Sequence, residues 1–147
     1  MSGEPDSAML EPVEKIARFI ATGDVACLSA FATRDVVILE NFAPHLFSGP
    51  DAVARWASDM REHAKTLTDL RHSFGPAQDF TRGGEHVFFS LPTHWQGKTQ
   101  GRPFHEDGGW SFLLVKEAGG WRVKSYGWAV TRLTYDEDAG ATSRGRT

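Results

Sequence analysis

The sequence predicts a single α+β domain in which helices gather against one face of a sheet. Its predicted elements run helix, helix, strand, helix and four further strands, with no repeating strand–helix unit. The last three strands are centred on Val87–Leu91, Trp110–Val115 and Trp121–Tyr126, are rich in β-branched and aromatic residues, and are separated by glycine-containing turns. They predict a meander that forms most of the sheet.

The composition limits the class of protein. The 147 residues are enough for one domain with a substantial core. The net charge of -3 offers no basic face for nucleic acid, and no apolar run reaches the roughly 20 residues that a membrane helix needs. Cys27 is the only cysteine, which leaves no disulfide framework or thiolate zinc site and suits a reducing compartment. We therefore expect a cytoplasmic protein that binds neither nucleic acid nor membranes.

Three helices are predicted ahead of the long strands. Apolar residues recur at helical spacing from Met9 to Ile20, and Gly23 follows where a left-handed residue ends a helix. A short second helix comes next. Gly49-Pro50-Asp51 opens the third helix, which should bury Trp56 against the sheet and expose His63 to solvent. These helices are expected to cover one face of the sheet.

Two shorter strands are predicted before the meander. Val36–Leu39 is continuously apolar and predicts a buried first strand that ends in Glu40. Leu70–Phe80 predicts a more polar strand, interrupted at Gly75-Pro76 as at a sheet edge or a bulge. Residues 1–7 and 134–147 are polar, lack an apolar period and are expected to be disordered, which leaves residues 8–133 as the domain.

Three short motifs mark the boundaries of these elements. They are Phe31-Ala32 before the first strand, Ser48-Gly49-Pro50-Asp51-Ala52-Val53 at the third helix and Gly119-Gly120-Trp121-Arg122-Val123-Lys124 in the last hairpin. Together they resemble the NTF2-like superfamily, the SnoaL-like and ketosteroid-isomerase-like group, over residues 8–133. The resemblance implies a conical half-barrel of three N-terminal helices on a strongly curved, mixed or antiparallel sheet. It also implies an apolar pocket with polar groups at its floor, and a homodimer.

The long strands support the homodimer independently. Phe88 and Phe89, and likewise Phe112–Leu114, place apolar side chains on both faces of the sheet, which indicates a sheet covered on both sides. Three helices are too few to cover both faces. We therefore expect a homodimer packed through the convex face, with Tyr126 and Trp128 in the interface.

His105 and Asp107 are the first candidates for catalysis. Alternate residues of a strand share a face, so the two side chains should point the same way, and a carboxylate beside an imidazole orients and strengthens a general base. Gly108-Gly109 follows and permits a bulge or a close approach of a ligand to the backbone. The alternative is a solvent-exposed pair at the start of a strand.

Glu40 and His94 are the other candidates. The place of Glu40 after the first strand is similar to the site where ketosteroid-isomerase relatives carry a carboxylate base. Those isomerases use a helix-borne tyrosine as an oxyanion donor, whereas Tyr126 and Tyr135 lie in or after the last strand, so a steroid-isomerase mechanism lacks its donor. His94 could reach a pocket from its wall, or it could be a half-buried histidine satisfied by backbone or water.

The pocket itself is expected to be apolar and free of metal. Its ligand-binding candidates are aromatic residues that can serve as core or as pocket wall: Trp56, Phe88, Trp110, Phe112 and Trp128. The six histidines form no His-x-His or His-Glu-x-x-His motif, so no metal is expected. Two functions follow. One is a cofactor-independent isomerase, dehydratase or cyclase acting on a small cyclic or aromatic metabolite, and the other is a non-catalytic ligand-binding or dimeric interaction module.

Overall fold

Residues 3–136, which a computed structural model describes, form three helices and a seven-stranded sheet, as the predicted α+β class requires. The helices are α1 (Ser7–Thr22), a 3-10 helix (Val25–Ala30) and α2 (Ala52–Ala64). The strands are β1 (Val37–Leu39), β2 (Leu46–Phe47), β3 (Leu67–Phe74), β4 (Gln78–Gly83), β5 (His86–Thr99), β6 (Arg102–Glu117) and β7 (Gly120–Tyr135). None of these helices combines the length and the apolar character that crossing a membrane requires.

The two ends of the chain extend the predicted domain slightly. Ser7 already belongs to α1, where the Asp6 side chain accepts a hydrogen bond from the Met9 N–H at 3.0 Å. Tyr135 is the last residue of β7. The rest of the predicted C-terminal tail, residues 137–147, and residues 1–2 lie outside the described residues.

The sheet is mixed, curved and unclosed. Its order is β2-β1-β7-β6-β5-β3, with β4 also paired to β5. The first strand, β1, runs parallel to β7, whereas the other pairs are antiparallel. The predicted meander is confirmed as β5, β6 and β7, and the predicted strand Leu70–Phe80 is two strands, β3 and β4, that both pair with β5. The helices pack on the concave face.

Burial alternates along the long strands, so the two faces of the sheet differ. On β5, Val87 and Phe89 are fully buried on the concave face, and Leu91 is 2% exposed. Phe88 and Leu113, which are paired across β5 and β6, lie half-buried on the convex face. The main core therefore lies between the concave face and the helices.

Two bulges in β7 decide which face its side chains take. The register with β6 shifts after Leu113, where β7 carries an extra residue, and again nearer to the end of the strand. Regular alternation would place Tyr126 on the face opposite to Trp121, but the first bulge puts both on the concave face, where each is buried. Trp128 lies on that face too. The prediction that Tyr126 and Trp128 form a convex interface is therefore wrong.

Gly108 makes room for the indole of Trp128. A Cβ at Gly108 would lie 2.5 Å from an indole carbon of Trp128 and 2.4 Å from the carbonyl oxygen of Ala129. Gly108-Gly109 was predicted to permit a bulge and the close approach of a ligand to the backbone, and the register with β7 does shift between Asp107 and Gly108. At Gly108 a side chain of the protein occupies that space.

Replacing Gly108 by alanine should therefore destabilise the fold. We expect Gly108→Ala to lower the free energy of unfolding by about 1–3 kcal/mol, because the new methyl group overpacks a filled site. Gly109→Ala is the matched control, since its Cβ would meet no atom within 4 Å, and it should change stability by no more than about 0.5 kcal/mol. Urea titrations of both variants measure the difference, and equal effects would show that Trp128 is not seated over Gly108.

Candidate active site

A cavity of about 180 Å³ lies between the concave face of the sheet and the helices. Its walls are mainly apolar and aromatic, and include Phe42, Leu70, Trp95, Phe104, Trp110 and Trp128. The titratable side chains in its lining include Glu40, Glu106 and His63. Within residues 3–136, no lysine or arginine lines it. An apolar cavity with a few polar groups is typical of a small-molecule site.

Strand alternation in β1 points Glu40 into this cavity. Ile38 is 0% exposed and Glu40, two residues further, is 7% exposed. Val37 and Leu39 point the other way and are 37% and 51% exposed. The sequence analysis predicted a first strand buried throughout, but only its inward-facing residues are buried. Because Glu40 continues the inward series, its carboxylate reaches the interior.

Two buried donors hold the carboxylate of Glu40. The indole N–H of Trp56 donates to Oε2 at 2.9 Å, and the phenol O–H of Tyr126 donates to the same oxygen. Trp56 comes from α2 and Tyr126 from β7, so Glu40 ties the helical layer to the sheet. The first bulge of β7 is what brings the Tyr126 hydroxyl to this face.

Burial raises the pKa of Glu40 above its ordinary value, because desolvation penalises the carboxylate. Hydrogen bonds from Tyr126, Trp56 and the backbone of Asn41 oppose this shift, while the negative charge of Glu106 adds to it. Burial also raises the pKa of Glu106. For Tyr126, burial and then the charge of Glu40 raise the pKa well above 10.0, so its phenol remains a donor. The cavity therefore contains two carboxyl groups that bind protons more tightly than free glutamate.

The raised pKa of Glu40 makes its contribution to stability depend on pH. In the folded chain Glu40 binds its proton more tightly than in the unfolded chain, where its pKa is near the ordinary value of 4.5. The stabilisation is therefore fully present below that value and is lost as pH rises through the folded pKa. Glu40→Gln does not titrate. We expect the stability of this variant relative to wild type to increase as pH rises from about 4 to about 7.

Thermal unfolding measured across that pH range tests the expectation. Glu11→Gln is the control, because Glu11 is exposed on α1. The difference in thermal stability between Glu11→Gln and wild type should not increase with pH in this way. A difference between Glu40→Gln and wild type that does not change with pH would contradict a raised Glu40 pKa.

His63 is exposed, as its helical spacing predicts, and it also lies at the rim of the cavity. Its ring stacks on Phe42, with ring centroids 4.5 Å apart and an interplanar angle of 19°. Partial burial lowers the pKa of His63, which favours a neutral imidazole. Helical periodicity places His63 on the solvent face of α2. The contact with Phe42 could not be predicted in this way, because Phe42 comes from the loop after β1.

Comparison with known proteins identifies the fold. No family model matches the sequence, and no curated protein matches it. The chain is similar to the LinA (Type2) hexachlorocyclohexane dehydrochlorinase, with a TM-score of 0.75 and 9% identity over 95% of this chain and 94% of that one. It is also similar to an NTF2-like superfamily protein from Salmonella enterica serovar Typhimurium, with a TM-score of 0.68 and 14% identity over 90% and 93% of the two chains. The fold is NTF2-like.

A third similar structure is that of a ketosteroid isomerase-like protein from Erwinia carotovora atroseptica. It matches with a TM-score of 0.67 and 15% identity over 86% of this chain and 95% of that one. Identities this low show the fold alone, because one fold carries many activities.

Within the NTF2-like fold, the predicted catalytic residues fall in two places. Glu40 lines the cavity, whereas His94, His105 and Asp107 project from the convex face. They do so because they alternate with concave residues of the same strands. His105 and Asp107 share a face as predicted, but the pairing of this carboxylate with the His105 imidazole is wrong. Asp107 Oδ1 lies 2.7 Å from Nδ1 of His94, its direct partner on β5, and His105 Nε2 lies 3.0 Å from Oδ2 of Asp136.

The aromatic residues predicted to bind a ligand also lie in different parts of the fold. Trp110 and Trp128 line the cavity, and their role in binding a ligand stays a prediction. Trp56 is fully buried and acts through its hydrogen bond to Glu40, and Phe112 is fully buried in the core. Phe88 lies on the convex face, because it alternates with buried concave residues of β5. For Phe88 and Phe112 the placement in the cavity wall is therefore wrong.

Glu106 is the residue that the sequence analysis missed. It falls within the concave series of β6, which contains the buried residues Phe104, Trp110, Phe112 and Leu114. A single carboxylate at a position where the alternation demands a buried side chain was the available signal. The neighbouring His105 and Asp107 form a more recognisable catalytic pattern in the sequence, which masks this signal.

Proposed function

We propose that the protein is a cofactor-independent enzyme that moves a proton on a small, neutral, cyclic or aromatic metabolite, with Glu40 as the general base. The observation that carries this proposal is the buried Glu40 carboxylate on the wall of an apolar cavity, with its pKa raised by burial. Isomerisation, dehydration and cyclisation are the reactions that such a group can promote without a cofactor.

Glu40 has the properties that a carbon acid requires of its base. A general base works best when its pKa approaches the working pH, and burial moves Glu40 in that direction. Both side-chain hydrogen bonds end on Oε2, and the backbone N–H of Asn41 is the third donor to the carboxylate. Oε1, which accepts from no side chain within residues 3–136, is the oxygen proposed to take the substrate proton. The donors Trp56 and Tyr126 fix the carboxylate before the substrate arrives. Proton transfer moves the negative charge from the Glu40 carboxylate onto the substrate, so the cavity holds one charge before and after the step.

Glu106 can return the proton at a second position. Burial raises its pKa, so it stays protonated to a higher pH than an exposed glutamate. Its charge also acts on Glu40, which disfavours the state in which both carboxylates are ionised. One carboxylate and one carboxylic acid facing the same cavity can divide the roles of base and acid. Glu106 is therefore the proposed proton donor.

The lining of the cavity supports a neutral, mainly apolar ligand. Trp95 and Trp128 offer apolar surface, and the two carboxyl groups would repel an anion. The buried Nε1 of Trp110 has no hydrogen-bond partner within residues 3–136. This nitrogen is closed to contact with a water-sized molecule, so the indole would have to move before a ligand oxygen could pair with it. The names of two structures with this fold, a hexachlorocyclohexane dehydrochlorinase and a ketosteroid isomerase-like protein, support a cyclic ligand.

Deuterium exchange tests the proposal without knowledge of the product. Small cyclic and aromatic ketones and alcohols are screened by thermal shift, and each stabilising compound is then incubated with the protein in D₂O. Mass spectrometry should show carbon-bound deuterium in at least one ligand only when the protein is present. Ligands that bind to the cavity and never exchange would favour the non-catalytic binding module, in which Glu40 serves only to tie Trp56 to Tyr126.

We also infer a homodimer that packs through the convex face. Val37, Leu39 and Leu46 are 37%, 51% and 50% exposed, and Leu39 lies beside Gly127 on that face. An exposed apolar surface of this kind is typical of an interface. Light scattering should give a dimer, and Leu39→Glu should shift it toward monomer. A monomer at every concentration would contradict the inference.

The cytoplasmic location stays a prediction that rests on the single cysteine.

A further inference from the structure

Two histidine–carboxylate pairs meet on the convex face of β5 and β6. His94 Nδ1 lies 2.7 Å from Oδ1 of Asp107, and His105 Nε2 lies 3.0 Å from Oδ2 of Asp136. The other two ring nitrogens, His94 Nε2 and His105 Nδ1, are 3.4 Å apart. The ring centroids are 5.4 Å apart, farther than these nitrogens, so the rings meet through their nitrogen-bearing edges. Both histidine side chains are 35% exposed.

The two carboxylates fix which nitrogens carry hydrogen. An ionised carboxylate only accepts hydrogen bonds, and a neutral imidazole has a single N–H. In its neutral form, His94 would therefore carry its N–H at Nδ1 and His105 at Nε2, each directed at its carboxylate. His94 Nε2 and His105 Nδ1 then both present lone pairs. Two lone pairs this close repel each other unless a cation lies between them.

We propose that His94 and His105 form a two-histidine site for a divalent transition-metal ion such as Zn²⁺. Zinc–nitrogen bonds of about 2.0–2.1 Å at a tetrahedral angle place two ligand nitrogens about 3.3 Å apart, close to the 3.4 Å observed here. Metal-bound histidines typically donate their other N–H to a carboxylate, as His94 does to Asp107 and His105 to Asp136. Imidazole suits zinc, copper and nickel, whereas magnesium prefers oxygen ligands.

Water must complete the coordination of this site. Within residues 3–136, no group of three or more His, Cys, Asp or Glu side chains is arranged to hold a metal. The exposure of both rings leaves the remaining ligand positions open to solvent. We therefore expect weaker binding than at a structural site with four protein ligands. Motif spacing did not suggest the site, because His94 and His105 lie on different strands and meet only through the antiparallel register.

A metal bound here would tie neighbouring strands together and would take no part in the proton transfer. His94 lies on β5, His105 on β6, and Asp136 directly follows β7. Glu40 faces the cavity on the opposite side of the sheet. Because a ligand that binds only the folded state stabilises it, Zn²⁺ should raise the Tm of the full chain. Glu40→Gln should leave this shift unchanged.

Calorimetric titration of the full chain with ZnCl₂ tests the proposal. We expect saturable binding of one Zn²⁺ that His94→Gln and His105→Gln abolish, that Asp107→Asn weakens by about 10–100-fold, and that MgCl₂ does not reproduce. His86→Gln is the matched control, because His86 is exposed and lies at the start of β5, away from His94. With Cu²⁺, electron paramagnetic resonance should show nitrogen ligands that the His94→Gln and His105→Gln variants lose.

Two outcomes would overturn the metal site. One is the absence of saturable Zn²⁺ binding, which would leave a shared proton as the cation between the rings. The other is binding of equal strength in wild type, His94→Gln and His105→Gln, which would place the ion elsewhere on the chain. Circular dichroism of each metal-free variant confirms that a lost signal does not come from a lost fold.

Discussion

Glu40→Gln is expected to lower the rate of proton transfer by about 10²–10⁴-fold while leaving the fold and most of the ligand affinity intact. Glutamine keeps the shape of the side chain and an oxygen that can accept from the Trp56 indole, but its amide has no useful basicity. The loss should therefore appear in kcat more than in KM.

Solvent-deuterium exchange or turnover of any ligand found in the screen measures this effect. Glu11→Gln, on the exposed face of α1, should retain the wild-type rate. Glu106→Gln distinguishes the roles of the two carboxyl groups. Because it removes the proposed proton donor, it should slow product formation more than the first exchange step. Wild-type rates in Glu40→Gln would remove Glu40 from the mechanism.

Trp56→Ala should cost about 3–5 kcal/mol of folding free energy, enough to threaten the folded state. The Trp56 side chain is fully buried, and its ring lies 5.3 Å from Phe19 and from Phe31 and 6.0 Å from Tyr126, measured between centroids. Truncation leaves a cavity among these rings and removes one donor from the Glu40 carboxylate.

Urea titration of Trp56→Ala measures this cost. Val25→Ala is the control, because Val25 is 68% exposed, and it should change stability by no more than about 0.5 kcal/mol. Trp56→Phe distinguishes packing from hydrogen bonding, since it keeps an aromatic ring and loses the N–H. It should raise the pKa of Glu40 further, because the Trp56 hydrogen bond opposes the effect of burial. Equal losses of folding free energy in Trp56→Ala and Val25→Ala would show that α2 does not bury Trp56 against the sheet.

The order of elements could be predicted because each boundary has a local chemical cause. Gly23 ends α1 with a φ of 76°, a conformation that glycine adopts at no steric cost, and its N–H donates to the Phe19 carbonyl at 2.7 Å. The alternation of apolar residues likewise marks β5 and β6 as strands with one buried face. Such signals lie within one segment of chain, so the sequence reveals them.

The candidate site could be predicted only where it depends on one strand. Glu40 was found because it ends a short apolar strand, whereas the role of Tyr126 depends on a bulge in β7. The sequence analysis set Tyr126 aside as an oxyanion donor because it lies in a strand, yet its hydroxyl reaches Glu40. The partner of Asp107 depends on the register between β5 and β6, which pairs it with His94. Register and bulges arise from contacts between distant segments, so a single sequence does not display them.

The pKa of Glu40 tests the central proposal most directly, because it needs no knowledge of the substrate. Carbon-13 NMR of the side-chain carboxyl carbons, assigned by comparison with Glu40→Gln, follows the titration of this one residue. We predict a pKa above the ordinary value of 4.5, with the phenol of Tyr126 remaining protonated. A Glu40 pKa at or below 4.5 would contradict the proposal, since the hydrogen bonds from Trp56 and Tyr126 would then hold a structural anion of weak basicity.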